Sequence, residues 1–273
     1  LRNTVLFPGV VIPITAGRDK SIQLINDANS GSKIIGVVSQ KDETVEDPSI
    51  NDIHTTGTVA RILKVLKMPD GNTTVIIQGK KRFKISEITS ENPYMVANIE
   101  DVPEISPLNT TEFPAIIESI KELALQIIMQ SPTIPSEASF AIKNIESNSF
   151  LINFVSSNMN LSVVEKQKLL EVNDLQERAL LTLKHMNVEL QRLELKNDIQ
   201  SKVQNDMSQQ QREYFLQQQI KTIQEELGGV SYEEEIEAMK GRASFKKWDD
   251  KVKAHFNKEI GKLQRMNPQV AEY

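Results

Sequence analysis

The chain has 273 residues, and at roughly 150 residues per domain it can build about two cores. Its 25% charged and 39% hydrophobic residues exclude a wholly disordered polymer, and the absence of cysteine excludes disulfide frameworks, Cys-ligated zinc, iron–sulfur clusters and thiol catalysis. A net charge of −5 excludes a global positive field that would draw the chain onto nucleic acid or an anionic membrane.

Residues 1–107 read as a β-rich domain, a small barrel or curled sheet. β-Branched runs at Val10–Ile14, Ile34–Val38, Thr58–Met68, Thr73–Gln78, Arg82–Ile88 and Tyr94–Val102 are predicted strands. Met68-Pro69-Asp70-Gly71-Asn72 is predicted to be a hairpin tip, because Asp-Gly tolerates positive φ and Pro ends the preceding ladder. Asp19 to Ala28 is the one crossing helix. The apolar run Leu6–Ile14 falls far short of the ~20 residues of a membrane helix, and no signal-peptide pattern precedes it. We therefore expect a soluble protein of a reducing compartment, the cytoplasm. The chain starts at Leu1 and reads straight into a strand-like run, so it is expected to be part of a longer protein.

Residues 108–173 switch to a helical period. Ile116, Ile120, Leu123 and Ile127 form a stripe widened by Ile117, Ala124 and Ile128, which predicts an amphipathic helix over Thr111–Gln130, ended by Pro132 and Pro135. Helices at Glu137–Asn144 and Ser147–Ser157 follow, and Ser162-Val163-Val164-Glu165 is a capping-box pattern ahead of Leu169-Leu170. A helical bundle results.

Residues 174–228 contain no Pro or Gly before Gly228, and Asp174-Leu175-Gln176-Glu177 supplies a start signal. One coiled-coil-like helix of about 54 residues, roughly 80 Å, is the simplest reading. Its apolar stripe is interrupted by the all-polar Ser208–Arg212 and resumes at Leu216, Ile220, Ile223 and Leu227, so its first turns suit the bundle and its end needs another partner. Residues 229–273 carry further helical signals. The whole chain is thus α+β, with a β domain, a bundle, a very long helix and a C-terminal helical segment.

The search for chemistry finds little. No GxxxxGK[ST] loop is present to cradle a nucleotide's phosphates. Ser30/Lys33 and Ser244/Lys247 have Ser-x-x-Lys spacing without the partner motifs of a Ser–Lys hydrolase. His54, His185 and His255 are scattered outside any metal pattern, and the acidic clusters at Glu43/Glu46/Asp47 and Glu233–Glu235 suit loops and helix starts. Lys80, Arg82 and Lys84 fall on one face of a strand opposite Phe83 and Ile85. A phosphate-tracking face is one reading; a charged outer face over a buried Phe is favoured by the net charge.

The order of parts and several segments resemble the amino-terminal region of Lon-type ATP-dependent proteases. Leu1-Arg2-Asn3-Thr4-Val5-Leu6-Phe7-Pro8-Gly9, then Val11-Ile12-Pro13 and Gly17-Arg18-Asp19-Lys20-Ser21, is similar to the family's opening strands and first helix. Gln40-Lys41-Asp42, Val45–Pro48, Gly57–Ala60 and Val75–Gly79 with Arg82 are similar to its later β segments. Most specific is the block from Gln211-Arg212-Glu213-Tyr214-Phe215-Leu216 through Ile220, Ile223 and Leu227 to Gly228, which resembles the family's long-helix signature nearly residue for residue. Ser131–Asn160 and Val230–Trp248 share only helical character with it; likeness returns at Lys258-Glu259-Ile260, Leu263, Met266 and Pro268, the lead-in to the family's ATPase module.

The resemblance implies a non-catalytic region that helps select misfolded or tagged proteins and stabilises a hexamer. The parent would be an ATP-dependent serine endopeptidase whose ATP, Mg and Ser–Lys dyad belong to modules outside this chain; no catalytic, cofactor or metal residue is carried over. Candidate substrate contacts are the apolar, Pro-rich edges Phe7, Pro8, Pro13, Leu66, Met68 and Pro69, Met being suited to adaptable contacts. Candidate assembly residues are Arg212, Tyr214, Phe215, Leu216, Ile220, Ile223 and Leu227. Unfolded or damaged proteins and neighbouring subunits are the expected partners, and a membrane is not. A coiled-coil scaffold without substrate binding is the alternative, with nucleic-acid binding through Lys80, Arg82 and Lys84 a weaker third.

Overall fold

The computed structural model describes residues 1–68, 73–107, 111–226 and 232–264. Five strands come first: β1 (Val11–Ala16), β2 (Ile34–Val37), β3 (Thr56–Lys67), β4 (Thr73–Ser90) and β5 (Val96–Asp101), with helix α1 (Asp19–Ser30) between β1 and β2. Helices α2 (Glu112–Gln130), α3 (Ala138–Asn144), α4 (Asn148–Asn158), α5 (Val163–Glu171), α6 (Leu175–Glu226), α7 (Tyr232–Ser244) and α8 (Asp250–Leu263) follow. The fold is α+β, and the 52-residue α6 is the long helix predicted from the unbroken run.

All strand pairs are antiparallel, in the order β1-β4-β3-β2, with β5 also on β4. β4 is one strand of 18 residues, where the sequence pattern reads two. Gly79 does not turn the chain; a Cβ there would collide with the carbonyl oxygen of Phe7, so glycine is needed for the close approach of another segment. Lys81 faces Val59 while Gly79 faces Ala60, so Lys80 is an inserted bulge residue. The tip between β3 and β4, including Pro69, Asp70, Gly71 and Asn72, lies outside the described residues, although Lys67 pairs with Thr73 across it.

Period-two alternation sends Ile62, Val75 and Ile77 inward, where they pack with Leu6, Ile35, Val37 and Ile25 of α1. A second core joins α2, α4, α5 and the first turns of α6 through Ile116, Ile120, Leu151, Ile152, Leu169, Leu170 and Met186. The opening segment links the two: Leu6 enters the β core, while Val5 and Phe7 enter the helical core. Phe7, proposed above as a surface contact, is 0% exposed. This corrects the reading of an apolar edge: burial of such a side chain is worth about 1.5–3 kcal/mol, and both faces of this short run have a core to enter. Gly9, at φ 81, and the hydrogen bonds Gly9 N to Gly79 O (3.0 Å) and Gly79 N to Val10 O (2.9 Å) seat the segment.

Arg82 is also placed differently from expectation. It is 3% exposed, whereas Lys80 and Lys84 are exposed. Its guanidinium donates to the carbonyls of Leu170 (2.9 Å), Val172 (2.9 Å) and Pro103 (3.0 Å), on the bundle side of the sheet. The bulge at Lys80 and this inward use of Arg82 dismantle the three-cation face, which removes the basis for the nucleic-acid reading. Arg178 of α6 lies beside it, fully buried, donating to Glu104 (2.8 Å), Asn153 (3.2 Å) and Val172 O (2.6 Å). Burial and then the neighbouring Arg178 lower the Arg82 pKa to about 10, which leaves it charged at neutral pH.

The helix starts follow the sequence signals. Ser162 and Glu165 form the capping box of α5, and Asp174 Oδ1 accepts from Glu177 N at 2.9 Å at the start of α6. Two compact units divide within α6, Leu1–Asp198 and Ile199–Tyr273. In the second, Asp249 caps α8 by accepting from Val252 N at 2.8 Å.

Candidate functional site

The sheet has a second face. Val11, Pro13 and Thr15 of β1 stand opposite Gln78, Ile76 and Thr74 of β4, and Ile76 and Thr74 stand opposite Lys64 and Leu66 of β3. These residues alternate with the inward set, so they share the outer face. The register shift between Ile62 and Lys64 leaves Leu63 as an extra residue, 50% exposed. Leu66 is 38% exposed and Met68 46%, and Val11 and Ile34 are also exposed. Arg61, Lys64 and Lys67 are exposed on the same strand. The result is an apolar face with interspersed cations, mounted on a sheet whose other side is packed.

Of the residues proposed from sequence as substrate contacts, Pro13, Leu66 and Met68 are exposed at this face or at the end of β3. Pro13 sits on the edge strand β1, where its missing N–H costs no ladder hydrogen bond. Pro8 is half-buried, with its carbonyl accepting from Asn153 Nδ2 at 3.3 Å, and so belongs to the joint between sheet and bundle. Pro69 is outside the described residues. Val11, Ile34, Leu63 and Ile76 were missed. Alternation along each strand carries the signal for three of them, but only the register shows that they lie together, and the bulge at Leu63 has no evident sequence mark.

A cleft of ≈ 1420 Å³ adjoins β1, with Ile14, Leu24, Ile35 and Val37 in its lining and Arg18 and Lys20 at charged positions. Lys20 is paired with Asp47 at 2.9 Å, and Arg18 donates to Gln40 at 2.9 Å, so these cations are already engaged. Among the described residues no group of three or more His, Asp or Glu could hold a metal ion, and no described helix is long and apolar enough to cross a membrane.

The assembly candidates occupy one element. Arg212, Tyr214, Phe215, Leu216, Ile220 and Ile223 are all exposed on α6, as are Leu195, Ile199, Val203 and Met207 before them. Leu227 lies outside the described residues. A helix that exposes this many large apolar side chains leaves a face without a partner in the monomer.

Comparison with known proteins agrees with the order of elements. The family model described as the ATP-dependent protease La (LON) substrate-binding domain matches residues 1–188. The chain is 71% identical over 274 residues to a Lon protease of Flavobacterium johnsoniae and 51% identical over 274 residues to one of Cytophaga hutchinsonii. Both alignments cover 100% of this chain and 34% of the relative, so the chain spans about a third of the length of the curated relatives it matches. The solved N-terminal domain of Mycobacterium avium complex Lon protease has the same fold, with a TM-score of 0.56 at 23% identity over 68% of this chain and 94% of that one. With the family model matching well over half its length, the chain belongs to the Lon protease family, of which residues 1–188 are the substrate-binding domain.

Proposed function

We propose that this chain selects substrates for an ATP-dependent serine protease by holding exposed apolar segments of unfolded or damaged proteins on the outer face of its sheet. The observation that carries the reading is the grouping of Val11, Leu63 and Leu66 on a face backed by a rigid core, with Met68 at the end of β3. Folded proteins keep such side chains inside, whereas an unfolded segment presents several at once; weak apolar contacts repeated along the face discriminate between the two. Met68 adds a flexible, polarisable contact that adapts to different sequences.

No GxxxxGK[ST] loop stands in the sequence to cradle the phosphates of ATP–Mg, and no step is derived through that group on this chain. Hydrolysis of ATP and of the peptide bond is assigned to the remainder of the parent, in the cytoplasm. The exposed stripe of α6 supports a second role, joining neighbouring copies into the parent's hexamer, since pairing it would remove from water the side chains of Leu216, Ile220 and Ile223.

Titration of the chain with a chemically unfolded, fluorescently labelled model protein tests the first role. Saturable binding is expected, weakened about fivefold or more by Leu66→Ser combined with Met68→Ser, in line with loss of two exposed anchors. No binding by the unmodified chain at high micromolar concentration would leave assembly as its only role.

A further inference from the structure

We propose that Arg61, Lys64 and Lys80, on the outer face assigned above to substrates and resting on that assignment, select unfolded segments that carry Asp or Glu a few residues from their apolar side chains. β1, β2, β3 and residues 73–84 of β4 hold seven Lys and Arg and no Asp or Glu, in a chain with 37 acidic against 32 basic residues. Two of the seven are engaged elsewhere: Arg82 is buried at the joint with the bundle, and Lys81 pairs with Asp101. Arg61, Lys64, Lys67, Lys80 and Lys84 are exposed, and among the described residues none of them is ion-paired with a carboxylate.

Strand register gathers three of these cations among the apolar side chains. Arg61 stands between Ile34 on β2 and Gln78 on β4, and Lys64 stands opposite Ile76. Lys80 reaches the same place, its Nζ donating to Gln78 Oε1 at 2.7 Å. The aliphatic stems of these side chains extend the apolar surface while their charged heads stay in water. Leu66 lies further along β3, past the bulge at Leu63, roughly 13 Å from Arg61 at a rise of ~3.3 Å per residue. An extended occupant that meets both therefore places its acids about four residues from its apolar anchor. A face that is merely kept soluble mixes both signs of charge. A single sign on an apolar ground instead attracts acidic segments and repels basic ones. Nucleic acid is a poorer fit, because Phe83, the one aromatic residue of these strand segments, is buried and leaves no ring for bases to stack on.

Anisotropy of labelled synthetic peptides titrated with the full 273-residue chain tests the selection. The peptides share a Leu-Phe-Leu anchor and differ only in a block set about four positions away, made of Glu, Gln or Lys. The Glu peptide is expected to bind about fivefold or more tighter than the Gln peptide, and the Lys peptide weakest, with the differences shrinking as salt rises. Arg61→Gln with Lys64→Gln alters exposed positions and should leave far-ultraviolet circular dichroism unchanged. It should remove the preference for Glu while keeping the affinity of the Gln peptide within about twofold. Arg61→Glu with Lys64→Glu should reverse the order of the Glu and Lys peptides. Leu66→Ser with Met68→Ser should weaken all three peptides together, which reads the apolar face apart from its charge. Equal binding of the Glu and Lys peptides, a preference that survives the changes at Arg61 and Lys64, or displacement of the Glu peptide by an equal concentration of oligothymidylate overturns the selection and leaves the apolar face standing. Failure of every peptide to bind overturns the face itself, and the selection with it.

Discussion

At the scale of residues, two buried guanidinium groups, Arg82 and Arg178, lie side by side where the sheet meets the bundle, and removal of the second is informative. Arg178 supplies donors to Glu104, Asn153 and Val172 O, so Arg178→Met strands several acceptors at once. A loss of about 3 kcal/mol is expected in urea denaturation, the scale on which broken buried ion pairs are felt. His54 sets a pH dependence. Its Nε2 is buried without a hydrogen-bond partner among the described residues, and burial lowers its pKa, with Lys41 acting in the same direction and Glu171 opposing. The unfolded chain therefore binds the proton more tightly than the folded one. Stability from this group is complete above the ordinary value of about 6.5 and is lost as pH falls through the lower folded value. The urea midpoint should drop between pH 7.5 and pH 5, and His54→Gln should flatten that slope; an unchanged slope would show that His54 is not the titrating group. Glu165, whose pKa is lowered by its hydrogen bonds with Ser162, acts in a more acidic window and is separable from it. Caps such as Ser162 and Asp174 were legible in the sequence because their partners lie three residues away. The inward aim of Arg82 was not, since its acceptors are 88 and 90 residues distant.

At the scale of elements, β4 and α6 show what one-dimensional patterns capture. The strand pattern breaks at Gly79-Lys80-Lys81, which suggests two strands, yet the ladder continues through a bulge because the Phe7–Val10 segment crosses there. Gly79→Ala places a methyl group against the Phe7 carbonyl and should cost about 3 kcal/mol, the upper range for overpacking. A fall in melting temperature of only a degree would place the close approach elsewhere. α6 is the opposite case. Helical period, a start signal and the absence of Pro and Gly act locally, so its type was legible, and so was the fading of its bundle-facing stripe. Leu216→Gln with Ile220→Gln removes apolar surface from its exposed stretch. Sedimentation should shift toward smaller species while the melting temperature of a dilute sample stays within a degree or so, because surface changes of this kind are typically within about 0.5 kcal/mol.

At the scale of the whole molecule, both hydrophobic cores lie inside Leu1–Asp198, and no buried member of either falls beyond Met186. A chain ended at Asp198 should therefore unfold in one cooperative transition and still bind the unfolded model protein, while losing self-association through α6. Two separate transitions would mean that the sheet and the bundle are independent despite the shared Val5–Phe7 segment. The sequence by itself determined the element types, most helix starts, the length of α6 and the likeness to Lon-type proteases, since each rests on neighbours in the chain or on residue identity. Only the tertiary structure decided which side chains of the apolar runs face water. Phe7 reads as a surface edge in isolation; it is interior, with Val5 and Leu6, because a β core receives one side of this run and a helical core, built more than a hundred residues later, receives the other. The outer face bearing Val11, Leu63 and Leu66 was decided in the same way, by strand register and a bulge that bring together residues no local spacing connects.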